Sequence, residues 1–449
     1  MKAIITIILF LLITTYGFTQ TQEEITRAID EGDCAFLFDF LQEPEGKERR
    51  LLESARQAIE RYTRTDTAAA RYRTNRMDAR VRNVGNELLE NVFLDPETYL
   101  PRVVERLLSG VSDTFSRVKI LHDWICYYID YDTDHYFGWE YNRQDYVSVI
   151  RNKKAVCSGY ASLFNQMCRL ANITSISING FSKGAGYNGS LRDYPDHDWN
   201  AVKIGSKWYL IDVTWNAGYL EYYSYIKKYS TDYLFLDSRA FLYTHLPVEN
   251  KYQFYAPVVT REQFIQEPKV DGIFFRYGLE LRDGLPQYNN TAEDSFRFEL
   301  VSRNNSVTIN SRLRTTRQVD VQNGARQSRN GNVYTFTYTM PDNQPYMGHV
   351  FARFSNERSI WERISIEMYE QEIVPMLDRL LENRRITERE KNYFLESYYK
   401  IEINGYYYFL DDQFAAERNS AVLRIHPMVN LSLGMLNSVL SFNVRREVL

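Results

Sequence analysis

The run HDWNAVKIGSKWYLIDVT, from His197 to Thr214, constrains the fold more than any other part of the chain. Two strand-like stretches, 197–204 and 207–214, are separated only by Gly205-Ser206, which predicts a tight β-hairpin. The loop sets the register: Ile204 faces Lys207, Trp199 faces Asp212 and His197 faces Thr214. His197 and Asp212 become diagonal neighbours on one face, roughly 7–8 Å apart between Cα atoms, a gap their side chains can bridge. A change of one residue in the loop would undo this arrangement.

Upstream, Cys157, Tyr160, Ala161, Phe164 and Cys168 recur at steps of three and four, the stripe of an amphipathic helix that begins at Cys157. A thiol at a helix start feels the positive end of the helix dipole, and Lys153 and Lys154 add cationic charge nearby; both favour the thiolate. Singly, each residue has a plain structural explanation. A cysteine is often a small buried hydrophobe, a strand histidine a core residue, and an aspartate beside Trp a turn cap. Jointly, in this order and register, they supply a nucleophile, a base and a group to orient the base, the set that covalent acyl transfer requires.

The segments VCSGYASLF, HDWNAV and WYLIDVTWNAG resemble the transglutaminase-like superfamily of cysteine enzymes, and look closest to its kyphoscoliosis-peptidase and cytokinesis-protein branch. The resemblance implies an α+β, papain-like core, in which a helix bearing the cysteine packs on an antiparallel sheet bearing the histidine and aspartate. It implies Cys157 as nucleophile, His197 as general base and acid, and Asp212 as orienter. Asp198 stands where the family usually has a small residue; strand alternation turns it away from His197. YLFLDSRAFLYTHLP resembles an element that closes the family's domain, with Leu246 intervening before Pro247 and His245 expected in a structural or supporting role. The family's second oxyanion donor, an upstream Trp in animal transglutaminases, has no match, and Trp124 and Trp139 are both open. His122 is a rival base, but no register places it near a nucleophile.

The chain begins with Lys2 and an apolar run, Ala3 to Ile13, followed by small and polar residues to Gln20. This is the layout of a cleaved secretory signal and is too short to span a bilayer. Secretion or periplasmic export follows as the expectation, with no stable membrane insertion of the mature chain. Net charge of -4 gives no basic footprint for nucleic acid. No cofactor motif and no metal-ligand spacing is found, and the Gly-rich stretch 182–195 matches neither nucleotide fingerprint. Of the 4 cysteines, Cys157 and Cys168 would lie roughly 16 Å apart along one helix, out of disulfide reach. A Cys34–Cys126 bridge is compatible with export.

The domain reading is a signal peptide at 1–20, a charged helical region at 21–83 and the transglutaminase-like domain at 84–256. An all-β, immunoglobulin-like sandwich at 262–356 and a small α+β region of unknown role at 359–449 complete it. Residues 63–82 read as a solvated helix or linker. GIFFRYGLEL, SFRFELVS, SVTINSRL, NVYTFTYTM and YMGHVFARF carry the strand pattern of the sandwich. Helices are expected at 366–382, broken by Pro375, and at 387–399, and residues 401–410 read as Tyr-rich and strand-like around Asn404-Gly405. The function these readings favour is peptide-bond hydrolysis by an exported cysteine peptidase on a protein or peptide substrate, extracellular or cell-wall. Protein cross-linking, amidase action on wall peptides and a degenerate binding scaffold are the alternatives.

Overall fold

A computed structural model describes residues 22–354 with short breaks at 64–66, 185–186, 188–189, 222–223, 271, 282–287, 292–294, 305–306, 316–320 and 343–345. Beyond 354 it describes 364–365, 378, 381–382, 388, 400–403, 406–409 and 437–446. The leader-like residues 1–20 and most of the helices expected at 366–382 and 387–399 lie outside the described residues. No helix among the described residues is long and apolar enough to cross a membrane. The chain divides into two compact units, Met1–Arg276 with Gly284–Asn289, and Tyr277–Asp283 with Asn290–Leu449.

The first unit is α+β. Helix α1 (Thr114–Tyr128) starts behind Asp113, whose side chain accepts from the Ser116 N–H, and α2 (Cys157–Leu170) follows an extended Val156. Five strands form one antiparallel sheet: β1 (Ser175–Ser182), β2 (His197–Ile204), β3 (Lys207–Ile211), β4 (Leu234–Leu236) and β5 (His245–Pro247), in the order β4-β3-β2-β1-β5. The apolar face of α2 is fully used: Tyr160, Ala161, Leu163, Phe164, Met167 and Cys168 are all buried. They share a core with Val118, Leu121, Trp124 and Ile125 of α1 and with Val202 and Ile211 of the sheet.

The hairpin forms in the expected register, Ile204 opposite Lys207 and Asn200 opposite Ile211, with Gly205 at φ 62 in the turn. It stops earlier than the alternation suggests. Asp212 leaves the strand and caps a short helix, α3 (Val213–Ala217), by accepting from the Trp215 N–H. A carboxylate that satisfies an otherwise orphaned helix donor is worth about 1 kcal/mol, and this cap competes with strand continuation. The ladder to β3 thus ends at Asn200, short of His197, whose cross-strand partner is Gly180 of β1 on the other edge, and Thr214 lies in the helix.

The segment expected as a solvated linker is tied down. The Asn75 side chain accepts from Thr231, the Asp78 N–H donates to Asp123, and the Arg73 guanidinium donates to the Phe235 carbonyl. The N-terminal helices have a small core of their own, with Ile25, Leu37, Leu52, Ala55 and Ala58.

The second unit holds antiparallel strands β6 (Leu279–Leu281), β7 (Ser295–Ser302), β8 (Val307–Thr315), β9 (Ala325–Asn330), β10 (Val333–Thr339), β11 (Tyr346–Phe354) and β12 (Asn437–Arg446). One sheet runs β6-β7-β10-β9; in the other, β11 lies between β8 and β12. Burial alternates along β10, where Tyr334, Phe336 and Tyr338 point inward, and the Tyr338 hydroxyl donates across to the His349 carbonyl. The GIFFRYGLEL run splits, because Gly272–Arg276 is a helical turn and only Leu279–Leu281 is strand. The strand-like stretch around Asn404-Gly405 is two antiparallel strands, Lys400–Ile403 and Tyr406–Phe409.

Candidate active site

Cys157 opens α2 and is half-exposed, whereas Cys34, Cys126 and Cys168 are buried; all four are free thiols, so the Cys34–Cys126 bridge is not formed. The strand pair Asp130–Tyr131 and Lys154–Ala155 delivers the chain to the helix start, with Tyr131 opposite Ala155. The Val156 N–H just before the helix donates to Gln144 Oε1 at 2.9 Å. Lys153 and Lys154 take other partners: the first lies 3.9 Å over the Phe93 ring and the second pairs with Asp134 at 3.5 Å. The helix dipole remains as the built-in support for a thiolate.

His197 Nε2 lies 2.8 Å from Asp212 Oδ2. An ionised carboxylate only accepts, so Nε2 carries the hydrogen and Nδ1 is the nitrogen left for the sulfur. Cys157 is a near polar neighbour of His197 and acts on its imidazole. Burial works against charge on His197, yet the charge and hydrogen bond of Asp212, joined by Cys157, hold its pKa well above the usual imidazole value. Burial likewise opposes charge on Asp212, and the two histidines around it hold its carboxyl well below the usual carboxylate range. Sulfur, imidazole and carboxylate form one chain from three different elements.

The relative placement of helix and sheet rests on Asn200, which is 1% exposed. Its amide nitrogen donates to the Ala161 carbonyl at 3.1 Å, the Asn165 side chain at 3.1 Å and the Ile176 carbonyl at 3.3 Å, fastening β2 to α2. Asp198 points the other way and accepts from Asn179, as the strand alternation predicts. A cavity of about 430 Å³ opens beside His197, lined by Tyr131, Tyr136, Arg192, Trp215 and Tyr225 among others. The Tyr131 phenol is kept neutral by burial first and then by the nearby Cys157. Trp124 is fully buried and Trp139 is 61% exposed, and neither lines this cavity.

His245 was the least legible part of the site. Its Nε2 lies 3.0 Å from the same Asp212 Oδ2 that His197 contacts. Donor atoms of His197, Asp212 and His245 lie within 4.8 Å of one another, the one grouping of metal-ligand type among the described residues. Both Nε2 atoms already donate to the carboxylate, so the trio is satisfied as a hydrogen-bond network. His122 sits elsewhere, fully buried, with Asn216 Nδ2 at 3.0 Å and Cys126 at 3.5 Å from its Nε2. It contributes nothing to the cavity lining.

Residues 101–213 match the transglutaminase-like superfamily. Over 186 residues the chain is 31% identical to the kyphoscoliosis peptidase of Mus musculus, which takes in 40% of this chain and 28% of that protein. Over 152 residues it is 28% identical to Hillarin of Drosophila melanogaster, covering 30% of this chain and 19% of that one. The chain thus spans less than a third of the length of these curated relatives. A solved structure of a TGase, 16% identical, covers 37% of this chain and 38% of its own with a TM-score of 0.21.

Proposed function

The chain carries a transglutaminase-like domain over residues 101–213, and on that premise we propose that it is a cysteine peptidase working through Cys157, His197 and Asp212. The observation that carries this reading is the His197–Asp212 hydrogen bond, with the partly exposed Cys157 acting on the same imidazole, which lines an aromatic cavity. The Cys157 thiolate attacks a peptide carbonyl carbon, and the oxygen takes up the negative charge, with the Cys157 N–H at the helix start as one donor to it. The C–N bond breaks as the His197 imidazolium gives its proton to the leaving amine. Water then attacks the thioester carbonyl and gives a proton to His197, which releases the acid and restores the thiol–imidazole pair.

The same reading takes a protein or peptide, extracellular or in a cell wall, as substrate, and export as the route to it, because the first 20 residues have a leader-like layout. The alternating burial and antiparallel pairing of the second unit support an immunoglobulin-like accessory domain that docks substrate. The test is to expose a mixed protein sample to the wild type and to Cys157→Ala, then label new N-termini and, separately, an added primary amine. New N-termini that depend on Cys157 support the peptidase. Amine incorporation without new N-termini makes it a cross-linker, and neither product with retained binding makes it a scaffold. A mature N-terminus near residue 20, read by mass from the culture supernatant, checks export.

A further inference from the structure

We propose that His245 is a positioning residue for the reaction, a second imidazole that fixes the Asp212 carboxylate so that His197 presents Nδ1 to Cys157; this rests on the peptidase reading above. The carboxylate has a full set of partners. Oδ2 accepts from His197 Nε2 at 2.8 Å and from His245 Nε2 at 3.0 Å, while Oδ1 accepts the Trp215 N–H at 3.0 Å. With both lone pairs of Oδ2 used, the carboxylate cannot turn without breaking a buried hydrogen bond.

The surroundings of His245 determine which of its nitrogens carries hydrogen. A carboxylate cannot donate, so Nε2 must, and Nδ1 lies 2.9 Å from the Thr244 hydroxyl, which also lies 3.4 Å from the Phe241 carbonyl. Burial keeps this ring neutral, pulling its pKa down to about 4 against the attraction of Asp212. Asp212 and His197 are the ionisable neighbours that act on it. The remaining walls are rings: Phe241 at 4.1 Å, Trp215 at 4.4 Å, Trp199 at 5.1 Å and Tyr233 at 5.3 Å between centroids. The Tyr233 hydroxyl is itself engaged, accepting the Gly272 N–H. A fully buried, caged imidazole aimed at one oxygen of one carboxylate is a costly way to fill space, since an apolar side chain would pack there without a polar group to satisfy. Close approach of β5 to β1 is what puts it there. A side chain at Gly180 would collide with the Leu246 carbonyl and the Trp199 ring, so glycine at that position lets the strand bearing His245 lie against the sheet.

The experiment measures iodoacetamide alkylation of Cys157 in the full chain against pH, by peptide mass, in the wild type, His245→Leu and His245→Gln. Wild type is expected to react at about pH 6 nearly as fast as at about pH 9, the mark of a thiolate–imidazolium pair. In His245→Leu the ratio of the acidic to the alkaline rate falls by about tenfold, and in His245→Gln, which retains an N–H donor, by no more than about threefold. A folded His245→Leu with the wild-type profile overturns the proposal, as does an equal loss in both variants, which would assign the effect to packing. Should His245→Leu not fold, His245→Phe takes its place, since it keeps a planar ring in the cage but has no N–H for the carboxylate. A ratio lowered about tenfold supports the proposal and an unchanged one overturns it. Ordinary thiol behaviour in the wild type removes the triad reading itself, and this inference with it, before any variant is compared.

Discussion

Two clusters in the first unit contain the same three kinds of side chain and are built for opposite ends. In one, Cys157, His197 and Asp212 come from a helix start, a strand and a helix cap; the cysteine is partly exposed and His197 lines a cavity. In the other, His122, Asp123 and Cys126 all belong to α1 and are at most 1% exposed. There the His122 Nδ1 faces Asp123 at 2.9 Å, and its other nitrogen is shared between Asn216 and Cys126. Burial, and next the charge of Asp123, push the Cys126 thiol well above its usual range, and burial also keeps His122 below its own. Lys119 and the Tyr229 hydroxyl complete the coordination of Asp123. The second cluster reaches out to hold α3, through His122 to Asn216, and so supports the helix that Asp212 caps. The same three side chains make an accessible group or a buried brace according to solvent access and to whether the histidine has a nitrogen left over.

The largest separation between the clusters is expected in turnover. Cys157→Ser should lower peptide cleavage by about 10³-fold or more, while Cys126→Ser leaves it within about threefold, both measured at equal folded protein. Loss of turnover in both would mean that the clusters act as one. Stability should invert the ranking. Asp123→Ala strands the buried Lys119 ammonium and should cost about 3–5 kcal/mol in denaturant unfolding, against a smaller loss for Cys157→Ser at its half-exposed helix start. An Asp123→Ala protein with wild-type stability would show that the brace bears no strain.

Acidity distinguishes the two histidines on Asp212. His245 binds its proton less readily when folded, so its contribution to stability is complete above the unfolded value near 6.5 and drains away as pH falls toward its folded value of about 4. That amounts to up to about 3 kcal/mol over the interval. His197 has the opposite sign: its raised pKa stabilises the fold fully below about 6.5, and this is lost as pH climbs through the folded value. Stability–pH curves of His245→Gln should therefore be flatter on the acid side than wild type; an unchanged acid limb would mean that His245 is already charged. The smallest effect is expected at the rim, where Asp198→Ala should change stability by within about 0.5 kcal/mol and alkylation of Cys157 by less than about twofold.

Local patterns announced those parts of the site that depend on local pattern. The helix from Cys157 follows from its apolar spacing, and the meeting of His197 with Asp212 follows from a loop of two residues. What escaped depended on competition or on distant partners. Asp212 ends its strand because its side chain satisfies a helix donor, which alternation cannot foresee. His245 joins the carboxylate from 33 positions downstream, through the pairing of β5 with β1, and a tetrapeptide such as YTHL carries no trace of that partner. The lysines ahead of Cys157 were near it in sequence, but Phe93 and Asp134 draw them aside. Residues 63–82 likewise hold to the following domain through partners that composition does not name, more than forty positions away at Asp123 and Thr231.

Asn200 does for this site what a covalent cross-link does in a disulfide-stapled domain. With every cysteine a free thiol, a single carboxamide joins the helix of the nucleophile to the strand of the base, and no covalent bridge is needed to keep them in line. The alignment of the site is therefore indifferent to the redox poise of its surroundings. Cys157, the one thiol of the four that is not buried, is the sulfur an oxidant meets first, and a reductant has no staple to open.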